Sequence, residues 1–331
     1  MRECDPGRVI CVGGLLWETI FNVDVIPGRG VKLLPRDARQ LASGMAPSAA
    51  TTIARLGHPV ELWALAGDDS NGRTCKSDLA SEGVCVDHVQ LVAGAHTPFS
   101  TILVDTAGER LVVPYFDPRL LAQPAVLPLE RIAGAQAVLV DVRWVEGGAS
   151  ALRRARECGV PAVLDADLAA VPVLERLLPL ADHVLFSEVA LYSMVSGESP
   201  QAALCQIAAT LEQASVVGVT LGEHGALIWQ REDPHTVTHY PAQPIRPVDT
   251  LNAGDVWHGA YVVGLLRSLP MASRVQFANT AAAIKCERPW GRLGAPRLDE
   301  VLARLESAPP VDPQSASLSR VAQPLLTAAP S

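Results

Sequence analysis

The chain has 331 residues, 49% of them hydrophobic, and a formal net charge of −8 at pH 7. A chain of this length can bury a large core, as one large α/β domain or as two smaller ones. The acidic balance and the lack of a long Lys/Arg run argue against a nucleic-acid or membrane partner, so any anionic substrate must be held by a few local cations.

The N-terminal residues contain acidic side chains and no apolar signal core, and no apolar run reaches the length of a membrane span. The seven cysteines are odd in number and scattered, without a CxxC or Cys/His cluster. This usage predicts neither a disulfide framework nor a structural zinc site. We therefore expect a reduced, cytoplasmic protein.

Apolar runs with the length of buried strands recur along the chain, at Val9–Val12, Val60–Ala66, Ala137–Val140, Ala162–Leu164, His183–Phe186 and Val216–Leu221. Segments with helical periodicity lie between them, at Ala49–Leu56, Thr74–Glu82, Ala149–Cys158 and Ala202–Gln213. The alternation predicts an α/β fold, with a doubly wound, mostly parallel sheet flanked by helices on both faces.

Two stretches interrupt this alternation. Phe99–Val104 and Arg110–Tyr115 flank a turn and predict a β-hairpin. Together with Trp17–Val25 and Val31–Leu34, they predict a small separate sheet. We expect one domain over residues 1–307, with lid segments near 15–41 and 97–116, and a disordered tail over 308–331, which is rich in Pro, Ala and Ser.

Three glycine-containing segments could approach a ligand closely. Ala42–Gly57 places Gly44 before a helix of small residues, and Gly57 suits its C-terminal cap. Gly67–Gly72 follows a strand. Thr220–Gly225 offers a hydroxyl and, through Gly222 and Gly225, close backbone approach to phosphates. Ordinary helix, turn and hairpin sequences would explain each segment taken singly.

The most informative stretch is Val248–Ala260, in which small residues lie between Asp249 and Asp255. It predicts a tight turn that opens a helix, where the backbone N–H groups of Ala253 and Gly254 and the helix dipole favour an anion. Asp255 in the first turn could accept a proton from a hydroxyl during phosphoryl transfer. The structural alternative is a capped helix with an acidic residue near its start.

In their order, these segments resemble the motifs of the ribokinase-like, or PfkB, carbohydrate kinases. Asn252 stands where the family usually has a glycine, and Asn tolerates a left-handed backbone. The resemblance implies ATP and Mg²⁺ as cofactors, a sugar substrate and Asp255 as the catalytic base, with Asn252, Ala253 and Gly254 as the anion hole. It further implies nucleotide contacts from Thr220, Gly222, Gly225, Asn279, Gly291 and Gly294, and substrate contacts from Glu18, Gly44, Ser48 and Asp249.

Other pieces resemble the bacterial sulfofructose kinases within this family, above all the run Asp141-Val142-Arg143-Trp144. Arg143 and Lys32 occupy the positions that hold the sulfonate in those enzymes. An arginine fork and a lysine suit a fixed anion. The resemblance therefore implies a keto sugar with an acidic group, such as 6-deoxy-6-sulfofructose.

The chain departs from these patterns on the sugar side. Pro114 replaces an Asn that contacts the sulfonate and offers no donor. Glu18 replaces an Asp, and Ser48 replaces an Asn. The Asn-x-x-Glu magnesium motif reads Ser-Glu-Val-Ala over residues 187–190, so the metal ligands are not assigned.

Three alternatives remain open beside the acidic-sugar kinase. One is a kinase for another sugar, such as fructose, ribose or 2-keto-3-deoxygluconate. Another is a non-catalytic relative that binds sugar or nucleotide, although such a protein would not need Asp255. A dinucleotide oxidoreductase is disfavoured because the turn after Val12 lacks GxGxxG. The edges of the lid sheet favour a homodimer formed through the lid.

Overall fold

The structure is a computed structural model that describes residues 7–121, 126–197 and 199–307. The predicted tail at 308–331 lies outside the described residues. The strands are β1 Val9–Val12, β2 Leu16–Asn22, β3 Asp37–Ser43, β4 Val60–Gly67, β5 Val89–Val92, β6 Phe99–Val104, β7 Arg110–Tyr115, β8 Ala137–Asp141, β9 Ala162–Ala166, β10 His183–Ser187, β11 Val216–Thr220, β12 Ala226–Gln230 and β13 Asp233–Tyr240. The α-helices are α1 Met45–Arg55, α2 Ser70–Ser81, α3 Val145–Cys158, α4 Val171–Leu177, α5 Glu188–Met194, α6 Pro200–Thr210, α7 Ala253–Leu266, α8 Met271–Cys286 and α9 Leu298–Ser307.

Over the described ranges, nine strands form the main sheet, in the order β13-β12-β11-β10-β9-β8-β1-β4-β5. All neighbours pair in parallel except β11 with β12 and β12 with β13, which form antiparallel pairs. The strands at the centre of the sheet are apolar and buried on both faces, as a covered parallel sheet requires. The α/β prediction is confirmed.

Side chains that alternate along β1 point to opposite faces of the sheet and enter two separate cores. Ile10 and Val12 pack in the core that α3, α4, α5 and α6 cover. Val9 and Cys11 pack in the core that α1, α2, α7, α8 and α9 cover. The protein is therefore three layers thick around β1.

The chain order reverses beside β1, which pairs with β4 on one side and β8 on the other. In open parallel sheets, ligands bind in the crevice beyond the carboxyl ends of the strands at such a point. The residues that follow β1, β8 and β9 are therefore the first place to search for a site.

The lid is a four-stranded sheet within the described residues, in the order β3-β2-β6-β7. The predicted hairpin of β6 and β7 is confirmed, with its bounds unchanged. The prediction of a lid strand at Val31–Leu34 is wrong. Strand β2 pairs antiparallel with Asp37–Ser43, so that Leu16 lies opposite Ser43 and Asn22 lies opposite Asp37. Residues 31–34 therefore lie outside the paired strands, and Leu34 is 76% exposed.

Candidate active site

Asp255 lies in the first turn of α7, as the sequence predicts, and is 9% exposed. Asn252 precedes the helix in a left-handed conformation, with φ of 60°. Its side-chain amide donates to Asp255 Oδ2 over 2.7 Å. The residue that replaces the family's glycine therefore keeps the turn and also orients the carboxylate.

Burial, followed by the nearby charge of Asp165, raises the pKa of Asp255 well above its ordinary value, while Asn252 and His258 lower it. A carboxylate with a raised pKa is a stronger base than one in water. The site therefore favours proton acceptance by Asp255.

The predicted anion-hole residues form the N-terminus of α7, where helix N–H groups lack carbonyl partners and the helix dipole is positive. The Ala253 N–H itself donates to the Thr250 carbonyl over 3.3 Å, a long contact. Gly254 has open space at its Cβ position, so nothing crowds the approach to the turn.

Asp165 and His258 lie beside Asp255, and the sequence analysis assigned a role to neither. Asp165 is near the carboxyl end of β9, and its Oδ2 is 3.2 Å from Nδ1 of His258 on α7. Both side chains are buried. His258 stands three residues after Asp255 and thus on the same helix face, which is the signal that could have identified it.

Asp141, at the end of β8, joins three segments of the sugar side. Its carboxylate accepts backbone N–H groups from Gly14 over 3.0 Å, Ala46 over 3.0 Å and Arg143 over 2.7 Å. Burial raises its pKa to about 6, although these hydrogen bonds lower it. The strand end therefore fixes the turn after β1 and the start of α1.

Glycine is required where these segments meet. A Cβ at position 13 would lie 2.0 Å from Asp141 Oδ2, and a Cβ at Gly44 would lie 2.2 Å from the Gly14 carbonyl oxygen. Gly44 also has a φ of 123° immediately before α1. The structure thus places Gly44 at the helix start on the sugar side.

Two predicted substrate residues carry buried polar atoms that lack a hydrogen-bond partner among the described residues. These atoms are Glu18 Oε2 and Ser48 Oγ. The other Glu18 oxygen accepts from Ser100 over 2.9 Å, and burial raises the pKa of this carboxyl. A buried polar atom without a partner costs about 1–3 kcal/mol, and a sugar hydroxyl could satisfy it.

Arg143 and Lys32 are not in contact with each other. The Arg143 guanidinium donates to the Leu168 carbonyl over 2.9 Å and to Asp167 over 3.2 Å, and its side chain is 38% exposed. The Arg143 Cβ lies close to Gly14: a Cβ added at Gly14 would be 2.7 Å from it. Lys32 is exposed in the segment between β2 and β3, and Pro114 lies opposite Ser100 on exposed β7.

A pocket lies at the carboxyl end of the main sheet, beside the segments that join it to the lid, and is lined by Gly13, Gly14, Pro98, Phe116, Asp117 and Arg143 among others. Arg143 lines this pocket, whereas Asp255, Glu18 and Ser48 do not. Arg143 and Asp167 form an ion pair, but their side chains are 38% and 37% exposed. The guanidinium therefore remains accessible.

Asp249 has protein partners for both carboxylate oxygens. Oδ1 accepts from the Leu251 N–H over 2.7 Å, and Oδ2 accepts from the Gly291 N–H over 2.8 Å. Buried Lys285 donates to the Asp249 carbonyl over 2.6 Å. In this structure, Asp249 joins the catalytic turn to the Gly291–Gly294 loop; its predicted contact with substrate stays a prediction.

The predicted nucleotide residues lie on three segments: the turn after β11, helix α8 and the Gly291–Gly294 loop. Thr220 ends β11 and donates to the Phe186 carbonyl over 3.3 Å, and Gly222 and Gly225 follow in a 3₁₀ turn with positive φ. Asn279 has protein partners at both ends of its amide, since it accepts from Trp257 over 2.7 Å and donates to the Pro241 carbonyl over 3.0 Å; its predicted contact with nucleotide stays a prediction.

Arg292, in the loop from Gly291 to Gly294, is fully buried and has no assigned role from the sequence. It donates to the Ala42 carbonyl on lid strand β3 over 2.5 Å and pairs with Asp78. Asp78 also accepts the Ala42 N–H over 2.8 Å. This pair therefore connects the predicted nucleotide loop to the strand that leads into α1.

The pfkB family carbohydrate kinase model matches residues 7–297. This chain belongs to the PfkB family of carbohydrate kinases. The ATP-dependent ribose-1-phosphate kinase of Halopiger xanaduensis is 26% identical over 90% of this chain and 98% of its own length. The fructokinase of Klebsiella pneumoniae is 30% identical over 75% of this chain and 81% of its own.

Solved structures show the same ribokinase-like architecture. A candidate ribokinase from Agrobacterium tumefaciens is 37% identical and superposes with a TM-score of 0.88 over 91% of this chain and 98% of that protein. Arabidopsis thaliana ribokinase, solved with ribose and ATP, is 20% identical, with a TM-score of 0.80 over 92% of this chain and all of its own.

The chain is an ATP-dependent carbohydrate kinase. Within the described residues, no helix is long and apolar enough to cross a membrane. The resemblance to sulfofructose kinases concerns the substrate, which the family alone does not define.

Proposed function

We propose that the protein transfers the γ-phosphoryl group of ATP to a hydroxyl of a keto sugar with an acidic group, such as 6-deoxy-6-sulfofructose. Asp255 takes the proton of the attacking hydroxyl. The oxygen then bonds to the γ-phosphorus while the bond to the β-phosphate oxygen breaks, so ADP leaves with that electron pair.

The catalytic part of the proposal rests on the position of Asp255. Its carboxylate is buried, oriented by Asn252, and placed in the first helical turn beside the N–H groups of α7. A base and a positive helix end side by side serve the two needs of transfer, which are removal of a proton and stabilisation of the phosphoryl charge.

The proposal of an acidic group rests on one observation: Arg143 lines the pocket at the carboxyl end of the main sheet, and its side chain is 38% exposed. Arginine forms planar paired hydrogen bonds with sulfonate-like, carboxylate and phosphate groups. The match to a ribose-1-phosphate kinase, whose substrate is also a charged sugar, supports this class of substrate. Lys32 is the second cation of the proposal and would reach the site by movement of its loop.

Mg²⁺ would accompany the β- and γ-phosphates of ATP and neutralise the charge that develops there. Mg²⁺ is usually bound through one or two carboxylates, waters and substrate phosphates rather than by a closed cage of side chains. The described residues contain no group of three or more His, Cys, Asp or Glu that could hold a metal ion. Full chelation with EDTA should abolish ADP formation; undiminished turnover would exclude the metal requirement.

The substrate is tested by measuring kcat/KM for 6-deoxy-6-sulfofructose, fructose 6-phosphate, fructose, ribose and 2-keto-3-deoxygluconate on one preparation. We expect an acidic keto sugar to give the highest value. If fructose or ribose gives the highest value, the neutral-sugar alternative, which the fructokinase match favours, replaces the acidic one. Absence of ADP formation with every sugar, despite sugar or nucleotide binding, would indicate a non-catalytic relative.

We also propose a homodimer formed through the lid. The edge strand β7 is exposed at every position and carries apolar side chains on both faces, with Leu111, Val112 and Val113 between 45% and 59% exposed. An exposed apolar edge strand of this kind is typical of an interface. The mass in solution should be that of a dimer, and Val113→Glu should shift it to that of a monomer; a monomeric wild-type protein would contradict the proposal.

A further inference from the structure

His258 is a buried, ionisable side chain that the proposed reaction does not yet use. It lies 2% exposed on α7, three residues after Asp255, with its Nδ1 atom 3.2 Å from Asp165 Oδ2. Residues three apart on a helix are neighbours on one face. Three ionisable groups therefore meet in a space closed to water.

The contact between His258 and Asp165 depends on charge more than on hydrogen-bond direction. Neither ring nitrogen of His258 has a well-aligned hydrogen bond among the described residues. A neutral imidazole would gain little at that geometry, whereas an imidazolium gains an attraction that burial strengthens. Burial lowers the pKa of His258, but Asp165 first, and then Asp255 and the backbone of Gly254, raise it above its ordinary value.

The elements packed against α7 supply the other charges. β9 and the loop after it supply Asp165 and Asp167, and β8 supplies Asp141. The cations of neighbouring elements are engaged elsewhere: Lys285 with Asp249, Arg274 over the Tyr261 ring, Arg292 with Asp78, and Arg55 with Glu82. Among the described residues, His258 is thus the cation that balances Asp165 and Asp255.

We propose that His258 is a positioning residue, whose imidazolium pairs with Asp165 and holds the neighbouring Asp255 as a charged carboxylate ready to accept the sugar proton. Without this cation, Asp165 and Asp255 would be two like charges in one dry site, and Asp255 would hold its proton to higher pH. This inference rests on the proposed role of Asp255 as the base.

The test is the pH dependence of phosphoryl transfer, measured in single turnovers with saturating ATP and 6-deoxy-6-sulfofructose, or fructose if that sugar reacts faster. His258→Asn should move the acidic limb of the rate profile up by about one pH unit or more, since an opposite charge nearby lowers a carboxyl pKa by about that amount. At a pH on the acidic limb, a shift of one unit lowers the rate roughly tenfold. At high pH, the rate of His258→Asn should be close to that of wild type.

Asp165→Asn should not raise the limb, because this change removes the like charge that repels the Asp255 carboxylate together with the partner that keeps His258 protonated. A purely structural effect would not separate the two variants in this way. His183→Asn is the matched control. His183 is also buried and contacts α7, through the Tyr261 OH over 2.9 Å, but it is the first residue of β10 and so lies at the amino end of the strand. The acidic limb of the His183→Asn rate profile should not move.

The outcomes are separable. An unmoved limb in His258→Asn, with Asp255→Asn inactive, overturns the inference and leaves the proposed base in place. Activity of Asp255→Asn close to that of wild type would overturn both the inference about His258 and the proposed role of Asp255 as the base. Should His258→Asn fail to fold, His258→Gln, which also removes the cation, decides: a raised limb supports the inference, and an unmoved limb overturns it.

Discussion

The transfer end and the sugar end of the site differ in which of their polar atoms lack a protein partner. At the transfer end, Asp255 accepts from Asn252, and Asp249 accepts two backbone N–H groups; the buried atoms without a partner there are Asn252 Oδ1 and the ring nitrogens of His258, beside the carboxylate. At the sugar end, Glu18 Oε2 and Ser48 Oγ, on two of the predicted substrate residues, are buried and have no hydrogen-bond partner within the described ranges. The predicted base is therefore oriented before any ligand binds, whereas the sugar end has groups that a sugar could satisfy.

This difference separates chemistry from specificity. A prearranged base and helix end cost little reorganisation during the reaction, which is where electrostatic catalysis gains most. Unsatisfied buried groups make the sugar end selective, because a ligand that lacks the matching hydroxyl leaves them unpaired. Variants at the first end should change kcat, and variants at the second should change KM.

The largest effect is expected from Asp255→Asn. This change keeps the shape of the side chain but removes the proton acceptor, so kcat should fall by about 10²–10⁴-fold while ATP and sugar affinities remain close to those of wild type. Asp299→Asn, in the exposed first turn of α9, is the matched control and should leave kcat unchanged. Near wild-type kcat in Asp255→Asn would remove this residue from the mechanism.

Arg143→Ala should act on the sugar end alone. Loss of a charge-assisted hydrogen bond costs about 1.5–3 kcal/mol, so KM for an acidic sugar should rise by roughly 10- to 150-fold, with little change for fructose. Arg154→Ala is the control, because Arg154 is equally exposed at 38% and pairs with Glu157 on α3. Equal losses for charged and neutral sugars would show that Arg143 has only a structural role.

Ser48→Ala should raise the sugar KM without destabilising the protein. The Ser48 hydroxyl has no partner to lose, so only a bond to the sugar disappears, worth about 0.5–1.5 kcal/mol. Thr52→Val is the contrast on the same helix, since the Thr52 hydroxyl donates to the Ser48 carbonyl over 2.9 Å. Urea unfolding should show a loss of about 1 kcal/mol for Thr52→Val only; a comparable loss in Ser48→Ala would contradict the assignment.

Glu18→Gln gives the smallest expected effect, seen in the pH dependence of stability without ligand. Burial raises the folded-state pKa of Glu18, so its contribution to the free energy of unfolding is present below the ordinary value of 4.5 and lost as pH rises. Wild type should therefore lose stability relative to Glu18→Gln as pH rises above 4.5, as measured by urea unfolding.

Glu82→Gln should show the opposite sign. Burial opposes ionisation of Glu82, but Arg55 and Arg292 lower its pKa overall, so its contribution is lost as pH falls. Parallel pH trends in the two variants would show that these carboxyls do not differ as described.

The sequence predicts the parts of this molecule whose signal is local. Runs of β-branched residues such as Val9–Val12 correspond directly to strands, and the small residues before Asp255 correspond to the start of α7. The sequence analysis did not predict lid strand β3, because its first residues are polar and largely exposed and the segment lacks the apolar alternation of a strand. Val31–Leu34, although apolar, has no strand beside it.

The contacts that complete the site are not local. Arg292 donates to a carbonyl 250 residues earlier in the chain, and His258 meets Asp165 only because α7 packs over the end of β9. Likewise, Asp141 became the junction of the sugar side through backbone N–H groups of three separate segments. Residue type and spacing can nominate such side chains, but only the fold determines their partners.

The central claim is that this kinase prefers a sugar with an acidic group. A competition experiment tests it most directly: wild-type enzyme, Mg-ATP and equal concentrations of 6-deoxy-6-sulfofructose and fructose, with both phosphorylated products counted by mass spectrometry at low conversion. The product ratio equals the ratio of kcat/KM values. We predict an excess of the sulfonated product that falls by at least tenfold in Arg143→Ala; an excess of fructose phosphate from the wild-type enzyme would contradict the claim.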